Sequence, residues 1–344
     1  MHLLLPTISR YAPGIFLSLL ITIFAYTIHW GEQITFNQTL LGPLVIAILV
    51  GTTLRSFWNM GSQWTTGIHF CSKHLLEIAI VMLGTSITTK TLSSIDTTLL
   101  LGVTVIVFTA IAFSFCVGKT LKLSTKISIL IACGNSICGN SAIAAIAPII
   151  NATKKDITSS IAFTAIIGVV LVLALPLFAI WLNMSETAYG IFAGLTVYAV
   201  PQVIAATEPL GNIAIETGTI VKLIRVLMLG PICLLTSLFA IYFISKSKNT
   251  FEKTPSITQL VPWFIIGFIL MMVCRSFELI PSYALTPLSA TSTFLTTISM
   301  AALGLSVDVR TITQSGVRIS ATVIISLLGL GIISLTLLQY LNMF

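Results

Sequence analysis

Long apolar runs, separated by short polar segments, occupy most of the chain. A helix that crosses a bilayer needs about 20 mostly apolar residues, and eleven segments fit that pattern. They lie at residues 12–30, 39–55, 73–88, 97–117, 127–150, 157–182, 188–206, 214–244, 259–275, 291–307 and 317–341. The pattern predicts an all-α polytopic membrane protein in which residues 1–344 form a single integral membrane domain.

One stretch between the second and third apolar runs does not fit a spanning helix. Residues 56–72 are too polar to cross the membrane and carry Trp58, Trp64 and His69. Because tryptophan is favoured where the membrane meets water, we expect this stretch to be amphipathic and to lie at the interface.

Composition agrees with a lipid-facing surface and narrows the function. Hydrophobic residues make up 56% of the chain and charged residues only 8%, whereas a soluble domain carries about a quarter charged residues. No basic patch with interleaved aromatic residues appears, so we exclude nucleic acid as a partner. The six cysteines form no C-x-x-C pair, and no catalytic or P-loop pattern appears. We therefore expect no metal site, no cofactor and no enzyme activity.

The charges of the loops predict the orientation in the membrane. With a cytoplasmic N-terminus, the eleven-span topology places eleven Lys and Arg residues in inside loops and four in outside loops. This asymmetry follows the positive-inside rule. We therefore expect the N-terminus inside and the C-terminus outside.

A short internal similarity indicates a repeat. The segment Leu83–Leu92 resembles Leu303–Ile312, and the two run in opposite directions across the predicted membrane. In an inverted repeat the two copies cross the membrane in opposite directions, and such repeats are common in secondary transporters. We predict approximate repeat halves at residues 38–182 and 188–341, with chance similarity as the alternative.

The most unusual segment repeats the tripeptide Gly-Asn-Ser between two apolar runs. Glycine frees the backbone, and Asn and Ser bond to it locally, so the pattern predicts a broken helix near mid-membrane. The N–H groups of the second half-helix would form an anion site. Close helix packing through small residues is the alternative, but it explains two asparagines poorly. The candidate substrate-binding residues are Gly134, Asn135, Ser136, Cys138, Gly139, Asn140 and Ser141.

Two later segments add polar groups inside predicted spans. Thr196 and Gln202 flank Pro201, which interrupts a helix; a simple proline kink is the alternative. Lys222 and Arg225, three residues apart, share one helical face. Two such cations usually face a cavity or a counter-charge, and snorkelling to the outer interface is the alternative. If they face the cavity, the substrate is an anion.

Glu77 is the clearest acid within a predicted span. It is a candidate coupling site for H⁺ or Na⁺, or a partner for Lys222. An ion pair with Lys73, four residues earlier, is the alternative.

At these residues the chain resembles the YeiH-like family of bacterial inner-membrane proteins, whose members are commonly labelled sulfate exporters. The resemblance rests on Gly134–Ala145, on Tyr189-Gly190-Ile191 leading into Thr196–Ala206, on Lys222–Leu229 and on Met300–Leu305. Family members often carry His-Glu-Val where this chain has Tyr198-Ala199-Val200. If that acid couples transport to protons, the coupling residue here has moved, with Glu77 as a candidate, or is absent.

The family is distantly similar to bile-acid symporters and cation/proton antiporters, which have two inverted repeats and broken helices that cross near mid-membrane. This resemblance implies that Gly134–Ser141 is the first crossover. The segment Thr196–Ala206 lies two crossings downstream and would run parallel to it. Either one of the two is a re-entrant hairpin, or the second crossover lies elsewhere, near Ser299–Leu305.

The combined interpretation is a secondary active transporter of a small anion that works by alternating access. A sulfur oxyanion and export are what the resemblance implies. A passive anion channel and a cation-coupled symporter of an organic metabolite are the alternatives. We expect the protein in the bacterial inner membrane, and a homodimer is one arrangement left open.

Overall fold

The computed structural model describes residues 5–36, 42–58, 60–86, 97–239, 263–307, 317–341 and 343. Within this part of the chain the ordered elements are helices, which confirms the predicted all-α class. Their bounds are α1 Leu5–Phe36, α2 Pro43–Phe57, α3 Ser62–Phe70, α4 Leu76–Leu83, α5 Thr97–Thr120, α6 Thr125–Ser136, α7 Asn140–Ile149, α8 Lys154–Trp181, α9 Glu186–Thr196, α10 Val200–Thr207, α11 Asn212–Leu227, α12 Leu229–Phe239, α13 Trp263–Ser276, α14 Ser282–Leu305 and α15 Val317–Tyr340.

Seven helical rods in the described residues are long and apolar enough to cross a membrane. They are α1, the α3–α4 rod, α5, α8, the α11–α12 rod, α14 and α15. The shorter apolar helices α2 and α13 have 15 and 14 residues. Together these nine rods match nine of the eleven predicted segments.

Residues 63–72 belong to a candidate span, which differs from the prediction that the whole stretch 56–72 lies at the interface. A π-helical turn at Cys71–Leu75 joins α3 to α4, and the candidate span covers Gln63–Ser86. Helix α3 packs on α1 through Gly67 and Gly14, where a Cβ on either glycine would overlap the other helix's backbone, whereas Gln63, Thr65 and His69 of α3 are exposed. Helices without large side chains at their contact can approach closely, and Gly67 allows this between α1 and α3.

The segment at 127–150 is helical but does not cross the membrane. Lys126 Nζ, at the start of α6, donates a 2.6 Å hydrogen bond to the carbonyl of Asn151, just after α7. A straight helix would separate these residues by about 37 Å at 1.5 Å per residue. In addition, a Cβ on Gly134 would lie 3.0 Å from Ile143 of α7. Thus α6 and α7 form a re-entrant hairpin, hairpin 1 (Thr125–Ile149).

The segment at 188–206 has the same form. Tyr189 Oη, near the start of α9, donates a 2.7 Å hydrogen bond to the carbonyl of Ala206, near the end of α10. A Cβ on Gly211, beyond α10, would lie 2.9 Å from Glu186 at the start of α9. We call this element hairpin 2 (Glu186–Thr207). Because α8 alone connects the hairpins and is long enough to span, they enter the protein from opposite sides.

The rods are arranged in two bundles. The side bundle consists of α1–α4, α13 and α14, and its most extensive contact is between α2 and α14. The hairpin bundle consists of α5–α12 and α15, with α9 on α11 and α5 on α6 as its largest contacts. The bundles meet where α2 touches α8 and α10, and where α10 touches α14. Apolar residues of α4 and α13 also pack on the hairpin bundle.

Candidate functional site

The tip of hairpin 1 lies at the predicted break. Helix α6 ends at Ser136 and α7 begins at Asn140, as the repeated Gly-Asn-Ser pattern predicts. Gly139 has φ 65° and ψ −120°, a region that side chains with a Cβ rarely adopt. The reversal of the chain therefore depends on this glycine.

The tip of hairpin 2 is an extended segment between two short helices. Helix α9 ends at Thr196, Val197 is extended, and α10 begins at Val200 with Pro201 in its first turn. Proline suits this position because the first helical N–H groups have no partner within the helix. Gln202 Oε1 accepts a 3.2 Å bond from the Ala199 N–H and caps the helix. The predicted interruption is present, and Gln202 stabilises it locally.

The two tips contact each other. Tyr198 Oη donates a 3.0 Å hydrogen bond to Asn135 Oδ1, and Asn135 Nδ2 donates to the Val323 carbonyl of α15 at 3.3 Å. A Cβ on Gly139 would lie 3.2 Å from the Cβ of Tyr198. Asn135 and Tyr198 are both buried. Hairpins from opposite sides thus meet at one closed junction.

Lys222 and Arg225 of α11 hold this junction together, and both are fully buried. Lys222 Nζ donates to the carbonyl of Ile137 at 2.6 Å and to that of Val197 at 2.7 Å, one from each tip. Arg225 donates to four further carbonyls, and these also come from both hairpins. They are Ser136 O at 3.1 Å, Asn135 O at 3.0 Å, Gly194 O at 3.0 Å and Leu195 O.

These carbonyls explain why the cations are tolerated in the interior. The last four carbonyls of a helix lack intrahelical partners, and its C-terminal end carries about half a negative charge. The C-terminal ends of α6 and α9 converge on Lys222 and Arg225. Within the described residues the hydrogen-bond partners of both cations are carbonyl oxygens, and no carboxylate is among them. Their N–H groups are therefore committed to the backbone.

The N-terminal end of α7 is the open part of the site. Asn140 and Ser141 are exposed, whereas Asn135 and Ser136 are buried. Thr164 Oγ1 of α8 donates a 2.7 Å bond to Asn140 Oδ1, which leaves the Asn140 amide group to donate. The first N–H groups of a helix and a neighbouring amide donor suit an anion. Binding of an anion by these residues stays a prediction.

Most of the predicted site residues lie at or beside the junction, with individual roles. Gln202 caps α10, and Thr196 Oγ1 donates to Phe192 O within its own helix at 2.7 Å. Cys138 is buried between the tips, close to the cationic side chains of α11. Sequence reasoning missed Tyr198 and Thr164. Tyr198 stood in a quoted motif, but nothing marked its hydroxyl as a partner of Asn135.

Glu77 lies elsewhere. Its carboxylate accepts a 2.9 Å bond from Trp263 Nε1 of α13 and lies 3.4 Å from His74 Nδ1, all within the side bundle. The structure therefore does not pair Glu77 with Lys222, and Trp263 and His74 are its partners in place of the alternative, Lys73. Its role in ion coupling stays a prediction.

A surface cavity in the side bundle also lies apart from the junction. It has a volume of about 740 Å³ and is open to the surface, between the start of α1, the end of α2, α3 and the end of α14. Arg55, His69, His74 and Ser306 contribute polar groups to its wall. Because none of the hairpin residues lines it, we place the candidate site by the convergence of the hairpin tips and not by cavity size.

Comparison with known proteins adds the family. Residues 13–323 match the family described as conserved hypothetical protein 698. A UPF0324 membrane protein of Brucella melitensis is 49% identical over 335 residues, which cover 97% of this chain and 92% of the relative. One of Bradyrhizobium diazoefficiens is 48% identical (97% and 95% covered), and one of Clostridium tetani is 31% identical (90% and 91%). No solved structure matches the chain.

Proposed function

The chain belongs to the family described as conserved hypothetical protein 698, whose relatives are named membrane proteins, and on that premise we propose that it is a secondary transporter of a small anion. One observation carries the proposal: two hairpins from opposite sides meet at a junction held by two buried cations. Secondary transporters bind substrates near mid-membrane where broken helices from inverted repeats converge. The chain's predicted inverted repeat fits this plan.

The charges at the junction favour an anion. The carbonyls that would attract a cation are taken up by Lys222 and Arg225. The remaining helix ends are N-terminal, and those ends attract negative charge. At α7, the exposed Asn140 and Ser141 add neutral donors. The substrate is therefore a small anion bound at the start of α7, and the family resemblance favours a sulfur oxyanion.

Alternating access follows from the two bundles. The hairpin bundle contains both tips and both cations, so the junction can move as a unit. Its contacts with the side bundle are fewer than those within either bundle. Sliding of one bundle against the other would expose α7 to each side in turn.

The distribution of Lys and Arg among the loops supports the predicted orientation of the protein in the membrane. Since hairpin 1 returns to its starting side, Lys154 and Lys155 move to the side of the N-terminus. Lys73 now lies within the candidate span Gln63–Ser86, so the inside holds twelve Lys and Arg residues and the outside two, Lys90 and Arg275. This sharper asymmetry favours the predicted cytoplasmic N-terminus and external C-terminus in a bacterial inner membrane.

The test is transport in proteoliposomes that contain purified protein. Radioactive sulfate uptake is measured under H⁺ and Na⁺ gradients and by counterflow, with sulfite and small organic anions as competitors. Asn140→Asp is the key variant, because it keeps the acceptor for Thr164 and suits a helix N-terminus. Its new negative charge should nevertheless lower anion uptake at least about tenfold, which corresponds to about 1.4 kcal/mol.

Asn183→Asp is the matched control, since Asn183 is exposed between α8 and α9. It makes the same change of charge away from the tips and should keep wild-type uptake. Failure of the wild type to move any of these anions would refute the proposal. Single-channel currents would favour a passive anion channel over a secondary transporter.

A further inference from the structure

Glu208 connects the base of hairpin 2 with the side bundle. It begins the short 3-10 turn Glu208–Leu210 that follows α10. Its carboxyl group lies against Gly42, the residue that precedes α2, and a Cβ on Gly42 would overlap the carboxyl oxygens. Because α2 belongs to the side bundle, this side chain reaches across the boundary between the bundles.

One oxygen of the Glu208 carboxyl group lacks a partner within the part of the chain that the structure describes. Glu208 Oε2 is buried and has no hydrogen-bond partner among the described residues. Pro43, the first residue of α2, has no N–H to offer. An ionised carboxylate without a donor is costly to bury, whereas the protonated acid is much less so. The site at Gly42 therefore fits the neutral form better.

The charged groups around Glu208 do not remove this preference. His29 of α1 is the nearby group that favours ionisation, and the N-terminal end of α2 acts in the same direction. The partly buried Glu216 of α11 and Glu186 of α9, which lies against Gly211, are acidic. Helix α10 carries no ionisable residue, and α2 carries only Arg55 in its last turn. Burial dominates and raises the pKa of Glu208 to about 7.

We propose that Glu208 is a proton-binding site whose protonation holds hairpin 2 against α2 and whose ionisation releases it. The inference rests on the proposed transport function and names H⁺ as its coupling ion. A carboxyl group whose pKa is raised in the folded state stabilises that state at low pH, and the advantage is lost as the pH rises through the raised value. The contact is therefore held below a pH of about 7 and weakened above it.

The first experiment needs no substrate. Thermal stability of the purified protein is measured across the range from about pH 4 to about pH 9, where linkage to a single carboxyl appears as one step. The wild type should lose stability between the ordinary value of 4.5 and the raised value of about 7 and should stay constant above it. Glu208→Gln, which mimics the protonated acid, should abolish the step. Glu186→Gln removes an exposed acid from the same end of hairpin 2 and should keep it.

Gly42→Ala provides a second, independent variant. Its Cβ would occupy the place of the carboxyl group, so Glu208 would be displaced towards water. The upper end of the stability step should then fall from about pH 7 towards the ordinary value of 4.5, and the step should become smaller. A step that persists in Glu208→Gln, or one whose upper end Gly42→Ala leaves unchanged, would overturn the proposal.

The second experiment tests coupling in proteoliposomes. With Glu208→Gln, sulfate uptake should lose its response to a pH gradient, while counterflow exchange should remain. Uptake by this variant that still follows the pH gradient would contradict the assignment. Absence of any flux of sulfate, sulfite and the small organic anions in the wild type would refute the transport proposal alone, because the stability step at Glu208 is measured without substrate.

Discussion

Replacing Arg225 by leucine removes the side chain that joins the two hairpin tips. The guanidinium donates to carbonyls of Asn135, Ser136, Gly194 and Leu195, the ends of α6 and α9. No helical N–H is available to these oxygens, because each belongs to the last turn of its helix. Leucine would leave four carbonyls without their donor in a fully buried place.

The expected cost follows from the number of orphaned acceptors. A buried polar group that loses its partner costs about 1–3 kcal/mol, so four such groups would cost at least about 4 kcal/mol. At about 2.1 cal/mol/K per residue, unfolding of the 344-residue chain has an entropy of about 0.7 kcal/mol/K, so 1 kcal/mol lowers the melting temperature by about 1.4 °C. The variant should therefore melt at least about 5 °C lower. Arg225→Lys should fall between, since an ammonium group has three donors for four carbonyls.

Melting of the purified variants in detergent, followed by size-exclusion chromatography, measures this loss. Arg318→Gln is the control, because Arg318 is exposed at the start of α15 and its removal orphans none of these carbonyls. An Arg225→Leu protein as stable as the control would refute the reasoning, since the carbonyls would then have other partners.

Two further predictions concern packing and topology. Gly51→Ala should destabilise the protein by about 1–3 kcal/mol, because its Cβ would lie 2.5 Å from the Ala301 carbonyl of α14. Gly31→Ala is the control and should not destabilise the protein, because no atom lies within 4 Å of its Cβ. Equal melting temperatures of the two variants would contradict the close contact. Cysteines placed at Thr120 and Asn151 in a cysteine-free background should react with an impermeant maleimide from the same side, and reaction from opposite sides would contradict hairpin 1.

The positions of the breaks could be predicted from the sequence, but the path of the chain at each break could not. Glycine and proline mark where a helix cannot continue, and they do so correctly at Gly139 and Pro201. Whether the chain then crosses or returns depends on contacts between residues far apart in sequence, such as Lys126 with Asn151. No residue pattern within either half of hairpin 1 indicates whether the chain continues across the membrane or turns back. The number of predicted crossings between the two breaks left open whether the chain crosses or returns at each of them, and only tertiary contacts decide this.

The partners of Lys222 and Arg225 were similarly beyond sequence reasoning. Two cations on one helical face indicate that a negative charge lies near them. From the sequence, the sources one would consider for this charge are a bound substrate or an acidic side chain. The structure supplies it from backbone carbonyls, and every residue has a carbonyl regardless of its type. A side-chain pattern therefore cannot reveal this source of negative charge.

The balance of charge at the junction links this backbone role to the choice of substrate. Two helix C-termini together carry about one negative charge, and the N-termini of α7 and α10 together carry about one positive charge. With Lys222 and Arg225 as cations, the sum is about two positive charges in the described surroundings of the tips. A monovalent anion would leave about half of this excess uncompensated, whereas a dianion would balance it. The same two residues that hold the hairpins together thus favour a doubly charged oxyanion at the start of α7, although their N–H groups donate to the backbone and not to the anion.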